Sequence, residues 1–168
     1  TDPDARVSGR GHAMLRAAGI AVTEGVLEAE ALALNIGFFQ RVQQGKPFVT
    51  LKLALTLDGR IANAAGASRW ITGPLARRQT HAMRACHDAV MVGIGTALAD
   101  DPDLTVRDLG MPHQPLRIVI DTHLRLPATS RLAQTARDVP VWLCHAEARL
   151  VPQALRDLGL HLIPCAVG

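Results

Sequence analysis

Basic side chains that could bind an anion stand at three places in the chain. Lys52 lies within the apolar run Phe48–Leu57, where a buried ammonium group would need a charged or polar partner. Arg84 and Arg107 could each hold a phosphate through paired hydrogen bonds, because a guanidinium matches the geometry of phosphate oxygens. Each has an ordinary alternative: Lys52 could be an edge lysine that extends to solvent, and the two arginines could be solvated surface residues.

A turn that contains two glycines is a second candidate anion site. Gly93-Ile94-Gly95-Thr96 follows an apolar run and would direct backbone N–H groups and the start of a helix towards a phosphate. It lacks the third glycine of the dinucleotide-binding fingerprint, so a simple tight turn is the alternative. Asp100 and Asp101 come soon after this turn, and one of them could only end the helix.

The elements that must position these residues begin with an apolar run. Phe48–Leu57 is rich in aliphatic and β-branched residues and predicts a strand that is covered on both sides. Asp58-Gly59 predicts a turn, because glycine adopts positive φ at little steric cost. A loop of small residues then leads to Trp70, ordinarily a core residue, and Pro74 begins a helix that runs to about Ala85. A buried strand that ends in such a loop is where α/β sheets bind ligands.

The rest of the chain alternates strands and helices. Apolar runs predict strands over 88–92, 116–120, 139–144 and 160–164, a short helix capped by Thr96, one turn or irregular structure over 127–134, and a helix over 147–158. This alternation predicts a mostly parallel sheet that helices cover on both faces, with the carboxyl ends of its strands along one edge. A fold that ended on a buried strand would lack elements, so we expect the C-terminal part to be missing.

The first 45 residues have a different character. Their pattern predicts a helix over 11–18, a strand over 20–24 and a helix over 28–43, with a hinge at Gly45-Lys46-Pro47. Such a piece is too small to bury a good core of its own. We therefore expect it to be the end of a domain that begins before Thr1.

Composition argues against several classes of protein. The 168 residues carry a net charge of only +3, with no run of like charges and no tyrosine, which argues against a nucleic-acid-binding surface. No apolar run is long enough to span a membrane. The three cysteines lack close spacing, which favours reduced thiols in a reducing compartment. His145-Ala146-Glu147 and Pro164-Cys165 match a zinc deaminase signature only in part and supply two of three ligands, so no metal site is predicted.

Four sequence strings occur in a distinctive order: LKLALTLDGRIA, SRWITGPLARRQTHAMRA, DAVMVGIGTALADDPDLTVR and RIVID. Through them, residues 46–127 resemble the reductase domain of the bifunctional riboflavin-biosynthesis deaminase/reductase family. Residues 1–45 resemble the end of that family's deaminase domain, through GRGHAMLRAAGIAVTEGVL and ALNIGFFQR. The resemblance implies two pieces, a deaminase remnant over 1–45 and an incomplete reductase domain over 46–168.

The resemblance also implies a fold and an activity. The fold would be α/β and dihydrofolate-reductase-like, with a mostly parallel sheet and flanking helices, apparently truncated at both ends. The activity would be reduction of 5-amino-6-(5-phosphoribosylamino)uracil to the ribitylamino product, with a hydride from NADPH. The family's cofactor-contacting positions match Ala54, Trp70, Thr96, Asp100 and Thr122. Its substrate-contacting positions match Lys52, Ser68, Arg84, Leu104 and Arg107.

Roles for individual residues follow from the same resemblance. The arginines would hold the ribose 5-phosphate, and Lys52 and Asp100 are the candidate catalytic residues, for orienting polar groups or supplying a proton. The family's later glutamate and glycine-rich cofactor loop would lie beyond Gly168, and its zinc site would lie in the missing deaminase part. We also expect a cytoplasmic homodimer. The alternatives are a non-catalytic fragment that keeps a nucleotide-binding or dimer-forming surface, and another reductase of the same fold, such as one acting on folate.

Overall fold

The chain divides into two compact units in a computed structural model that describes residues 2–68 and 70–166. The first unit spans Thr1–Leu53 and the second spans Ala54–Gly168. The domain boundary after residue 45, which the resemblance implies, stays a prediction.

The first unit is helical, and its helices differ in detail from the predicted ones. They are α1 (Arg10–Ala17), α2 (Glu28–Leu34) and α3 (Ile36–Gln44). The single helix predicted over 28–43 is wrong, because it is interrupted at Asn35. The side-chain amide of Asn35 donates a hydrogen bond to the carbonyl of Ala31 at 2.9 Å, a local bond that competes with continued helix.

The strand predicted over 20–24 is also wrong, since none of these residues belongs to a strand. Their last residue instead contacts α1 through its side chain. The Glu24 carboxylate accepts a hydrogen bond from Arg16 and lies 3.1 Å from Nδ1 of His12. An isolated extended segment has no ladder partner, so these side-chain contacts hold it beside the helix.

The second unit contains a parallel sheet with helices between its strands. Its elements are α4 (Pro74–Ala85), β1 (Ala89–Gly93), α5 (Ile94–Asp100), β2 (Leu116–Ile120), α6 (Arg131–Gln134), β3 (Val141–Ala146), α7 (Gln153–Asp157) and β4 (His161–Cys165). The strands pair in the order β1-β2-β3-β4, and every pair is parallel. The prediction of a parallel sheet with flanking helices is therefore confirmed. No helix in the described part of the chain is long and apolar enough to cross a membrane.

The two faces of this sheet differ in burial among the described residues. Val119, Val141 and Leu143 point to one face and are fully buried in a core that α5, α6 and α7 also enter. The opposite face carries Met91 and Trp142, which are 60% and 40% exposed. The described helices leave this face partly open, although its residues are as apolar as those of a strand buried on both sides.

The strand predicted over Phe48–Leu57 is the largest error. All of these residues are described, yet none belongs to a strand, and Leu51 is 77% exposed. Extended backbone becomes a strand only where its N–H and C=O groups pair with a neighbour, and the described strands pair only with one another. The turn that follows is confirmed: Gly59 has φ of +77° and donates to the carbonyl of Thr56 at 2.9 Å.

Two helix starts also differ from the prediction. Thr96 caps nothing, because α5 already begins at Ile94 and Thr96 lies within it. The helix predicted from residue 147 begins only at Gln153. Pro152 explains the late start, since proline lacks an N–H and disfavours helical backbone in the residue before it.

Arg117 is a charged residue that is fully buried in this unit. From the covered face of β2 its guanidinium donates to the Asp103 carbonyl at 3.1 Å, the Thr135 hydroxyl at 2.8 Å and the Thr135 carbonyl at 2.9 Å, and also to the Val139 carbonyl. Burial lowers the pKa of Arg117, and the charges of Asp103 and Asp138 partly oppose that change. One side chain thus joins the sheet to the loop after α5 and to the segment after α6.

We expect Arg117→Met to destabilise the protein by about 3 kcal/mol, because three backbone carbonyls would lose their donor where water cannot replace it. The free energy of unfolding, measured by urea denaturation, checks this. Arg125→Met is the matched control, since Arg125 is exposed and its loss should change stability by less than about 0.5 kcal/mol. Equal stability of the two variants would contradict the role given to Arg117.

Candidate functional site

Several predicted site residues lie along the edge where the parallel strands end. Gly93 and Ile120 are in register at the ends of β1 and β2, so α5 and the residues after β2 begin side by side. Thr96 and Asp100 are both exposed on α5 and are four residues apart, which places them on one face of the helix. Thr122 is partly buried at the same edge. Thr96, in the first turn of α5, and Thr122 therefore lie at this edge of the sheet, whereas Asp100 is at the far end of α5.

The chain after β2 is held by a buried carboxylate. Asp121 is fully buried; its backbone N–H donates to the Cys144 carbonyl at 2.8 Å, and its Oδ2 accepts from the N–H of Leu126 at 2.8 Å. The next carbonyl, that of Thr122, accepts from the N–H of Ala146 at 3.3 Å. The position of Thr122 is thus fixed by backbone bonds to β3.

The loop over residues 101–107 is anchored by burial and by side-chain hydrogen bonds. Leu104 is 4% exposed and has φ of +57°, a left-handed conformation that a leucine adopts only where its surroundings enforce it. Val106 is also buried, and its N–H and C=O both pair with the side chain of Gln114, at 2.7 and 3.1 Å. Arg117 also donates a hydrogen bond to the Asp103 carbonyl, so the loop is held at Asp103, Leu104 and Val106.

Two basic side chains from α4 reach this loop, and a third, that of Arg107, belongs to it. Arg84 Nη1 donates to the carbonyl of Thr105 at 2.9 Å, and His81, one turn earlier on α4, has Nδ1 at 3.2 Å from the same oxygen. The backbone N–H of Arg107 also lies 3.2 Å from His81 Nδ1. The Arg107 side chain pairs with Asp103 at 2.6 Å. The predicted substrate residues Arg84, Leu104 and Arg107 are therefore neighbours in the structure.

The guanidinium groups of Arg84 and Arg107 repel each other within this cluster. Burial lowers the pKa of Arg84, and the charge of Arg107 lowers it further, against a smaller opposite effect of Asp103. Asp103 also pairs with Arg131 at 3.3 Å, so its single negative charge is shared among several cations. Such an arrangement favours binding of an anion, because an anion would remove the repulsion between the two guanidinium groups.

Ser68 and Trp70 lie in a separate part of the second unit. They line a cavity of about 780 Å³ together with residues from Thr56 to Ile71. Trp70 is 70% exposed rather than part of the core, and the Arg77 guanidinium stacks over its ring at 4.5 Å from the centroid. Arg77 is fixed in turn by a hydrogen bond to the Thr72 carbonyl at 2.8 Å.

Ala54 and Lys52 are the two remaining predicted site residues. Ala54 is partly buried at the start of the second unit. Lys52 belongs to the first unit and is exposed, so the expectation that a buried strand encloses its ammonium group is wrong. Its exposure follows from the missing strand pairing of Phe48–Leu57. The roles that the resemblance gives to Lys52 and to the other site residues remain predictions.

Sequence reasoning missed His81, Asp103 and Gln114. His81 had a usable signal, because it stands three residues before Arg84 on a correctly predicted helix and must share its face. Gln114 carried none, since its bonds to Val106 depend on how the loop between them closes. No group of three or more His, Cys, Asp or Glu side chains that could hold a metal occurs within residues 2–68 and 70–166.

Comparison with known proteins gives a consistent match. Residues 47–157 match the family model described as the RibD C-terminal domain. The chain is 42% identical to the riboflavin biosynthesis protein RibD of Actinobacillus pleuropneumoniae, across 98% of this chain and 44% of that protein. It is 39% identical to RibD of Escherichia coli, across 97% of this chain and 47% of that protein. The chain thus spans less than half the length of these curated relatives.

Solved structures resemble the chain as well. A deaminase/5-amino-6-(5-phosphoribosylamino)uracil reductase from Thermotoga maritima superposes with a TM-score of 0.80 at 38% identity, covering 96% of this chain and 44% of that one. RibD from Acinetobacter baumannii gives a TM-score of 0.79 at 39% identity, covering 98% and 46%. These matches confirm the predicted dihydrofolate-reductase-like α/β class.

Asp103→Asn should strengthen the binding of sulfate to the protein by about threefold to fivefold, because it removes the anion that partly neutralises Arg84 and Arg107. Isothermal titration calorimetry at low ionic strength gives the dissociation constants. Asp157→Asn makes the same change of charge on α7 and serves as the control. Unchanged or weaker sulfate binding by Asp103→Asn would show that these basic side chains do not form an anion site.

Proposed function

The chain belongs to the family of RibD C-terminal domains, and we propose that it is the NADPH-dependent reductase part of a riboflavin-biosynthesis enzyme. Its substrate would be 5-amino-6-(5-phosphoribosylamino)uracil and its product the corresponding ribitylamino compound. The convergence of Arg84 and Arg107 on one anchored loop is the observation that carries this proposal. A substrate with a ribose 5-phosphate supplies the dianion that such a pair of guanidinium groups favours.

The phosphate would fix one end of the substrate. Arg84 is held by the Thr105 carbonyl and Arg107 by Asp103, so both guanidinium groups are oriented before a ligand binds. Each retains N–H donors beyond these contacts, because a guanidinium has five. Preorganised donors of this kind lower the entropic cost of placing the sugar for reaction.

The edge of the sheet fits a nucleotide cofactor. A Cβ added at Gly93 or Gly95 would meet nothing within 4 Å, so the backbone there is open to a ligand. Thr96 and Thr122 at this edge, and Asp100 at the far end of α5, would contact NADPH, as the resemblance implies. When bound, NADPH supplies the hydride that reduces the substrate.

The protein's own contribution to the reaction is position and polarity. The ribose ring would open to an imine at C1′, and reduction of that imine would need one proton on its nitrogen besides the hydride that NADPH would supply. Lys52 and Asp100 are the candidates for proton supply or for orienting the sugar hydroxyl groups. Arg84 and Arg107 hold the phosphate away from the reacting carbon.

Other features of the family belong to the same proposal. The deaminase zinc site would lie outside this chain in the longer protein, and the enzyme would act in the cytoplasm as a homodimer.

The most direct functional test compares NADPH oxidation with the phosphorylated substrate and with its dephosphorylated form. Turnover that requires the phosphate supports the proposal, and turnover of dihydrofolate instead would replace it with a folate reductase. Saturable NADPH binding without turnover would favour the non-catalytic nucleotide-binding alternative.

Arg107→Ala should raise KM for the phosphorylated substrate about thirtyfold, the equivalent of about 2 kcal/mol for a lost charged hydrogen bond. KM for NADPH should stay the same, because Arg107 is assigned to the substrate. Arg78→Ala, which removes an exposed arginine from α4, is the matched control. An unchanged KM in an active Arg107→Ala protein would remove Arg107 from the phosphate site.

A further inference from the structure

His81 is a titratable group among the basic residues that no family resemblance assigns to the site. It lies on α4, three residues before Arg84, and both side chains reach the carbonyl of Thr105. The backbone N–H of Arg107 points to the same ring nitrogen. His81 is therefore in contact with both segments that carry the two phosphate-binding arginines.

The two contacts of His81 Nδ1 require different states of the ring: Nδ1 accepts when the neutral ring has its proton on Nε2, and it donates in the neutral Nδ1–H tautomer or in the imidazolium. When Nδ1 carries no proton it can accept the hydrogen bond from the N–H of Arg107, at 3.2 Å. When Nδ1 is protonated it can donate to the Thr105 carbonyl, also at 3.2 Å. In the imidazolium form both ring nitrogens carry protons, so Nδ1 can no longer accept from the N–H of Arg107 but can donate to the Thr105 carbonyl.

The surroundings of His81 determine which state exists without a ligand. Burial lowers the pKa of His81 first, and the charges of Arg84 and Arg107 lower it further. The hydrogen bond to Thr105 and the charge of Asp108 act in the opposite direction and are the smaller effects. At neutral pH the ring is therefore neutral, because its pKa lies below that of an ordinary histidine.

We propose that His81 is a third anion-binding group of this site, neutral while the site is empty and protonated when a dianionic phosphate ester lies between Arg84 and Arg107. A dianion there neutralises the two charges that disfavour the imidazolium form. Binding then takes up a proton, so the affinity for the phosphate rises as the pH falls. The inference rests on the proposed phosphate site and adds the residue that makes its affinity for phosphate depend on pH.

Sulfate is a suitable probe, because it remains a dianion between about pH 6 and about pH 8 while histidine titrates. We expect the wild-type protein to bind sulfate roughly five- to tenfold more tightly at about pH 6 than at about pH 8. In His81→Gln the dissociation constant should change by less than about twofold over this range, with affinity at the higher pH close to that of the wild type. His87→Gln, which removes another histidine from the end of α4, should keep the wild-type pH dependence.

A second measurement follows the His81 ring of the wild-type protein directly. The NMR titration of the His81 ring, assigned with the His81→Gln variant, should move to higher pH when sulfate is added. Equal pH dependence in wild type and His81→Gln, or a His81 titration that sulfate leaves unchanged, would overturn the inference while leaving the phosphate site intact. If the wild-type protein binds neither sulfate nor ribose 5-phosphate, the phosphate site itself is wrong and the role of His81 falls with it.

Discussion

The second unit depends on one buried guanidinium, that of Arg117. It stands on the covered face of the sheet and donates to the carbonyls of Asp103, Thr135 and Val139, which come from two irregular segments. Burying a cation is costly unless its hydrogen bonds are met, and here backbone oxygens meet most of them. The loop that bears Arg107 is consequently tied to the sheet itself. A binding site on this loop would therefore be held as firmly as the sheet.

That rigidity keeps the positive charges of the basic cluster close together. Arg84 and Arg107 repel each other and would separate if the loop were free to move. The loop cannot relax in this way, because Arg117 and Gln114 fix it on either side. The two guanidinium groups therefore stay close together in the empty site, and a bound anion would remove their repulsion. In this way the folded protein holds the site ready for the anion, which strengthens binding. The charges of Arg84 and Arg107 also act on His81, and protonation of His81 would add a third positive charge to the site.

The sequence was sufficient where local pattern decides the structure and insufficient where distant partners decide it. The strand over 116–120 and the helix over 74–85 lie where they were predicted, because an apolar run or a helix start is a local signal. Phe48–Leu57 gave an equally strong signal but forms no strand, since pairing is not a local property. In the candidate site, Arg84 and Arg107 were named from the chemistry of the guanidinium group and again through the family strings. The buried bonds of Arg117 were not predicted, because arginine is ordinarily a surface residue.

The central claim is that the phosphate of the substrate binds between Arg84 and Arg107, against the loop that Arg117 anchors. A crystal structure of the protein with ribose 5-phosphate tests it most directly. The account predicts phosphate oxygens within hydrogen-bonding distance of both guanidinium groups, with the sugar extending away from Thr105. A phosphate bound elsewhere, for example at the edge of the sheet beside Thr96, with both arginines uncontacted, would contradict it.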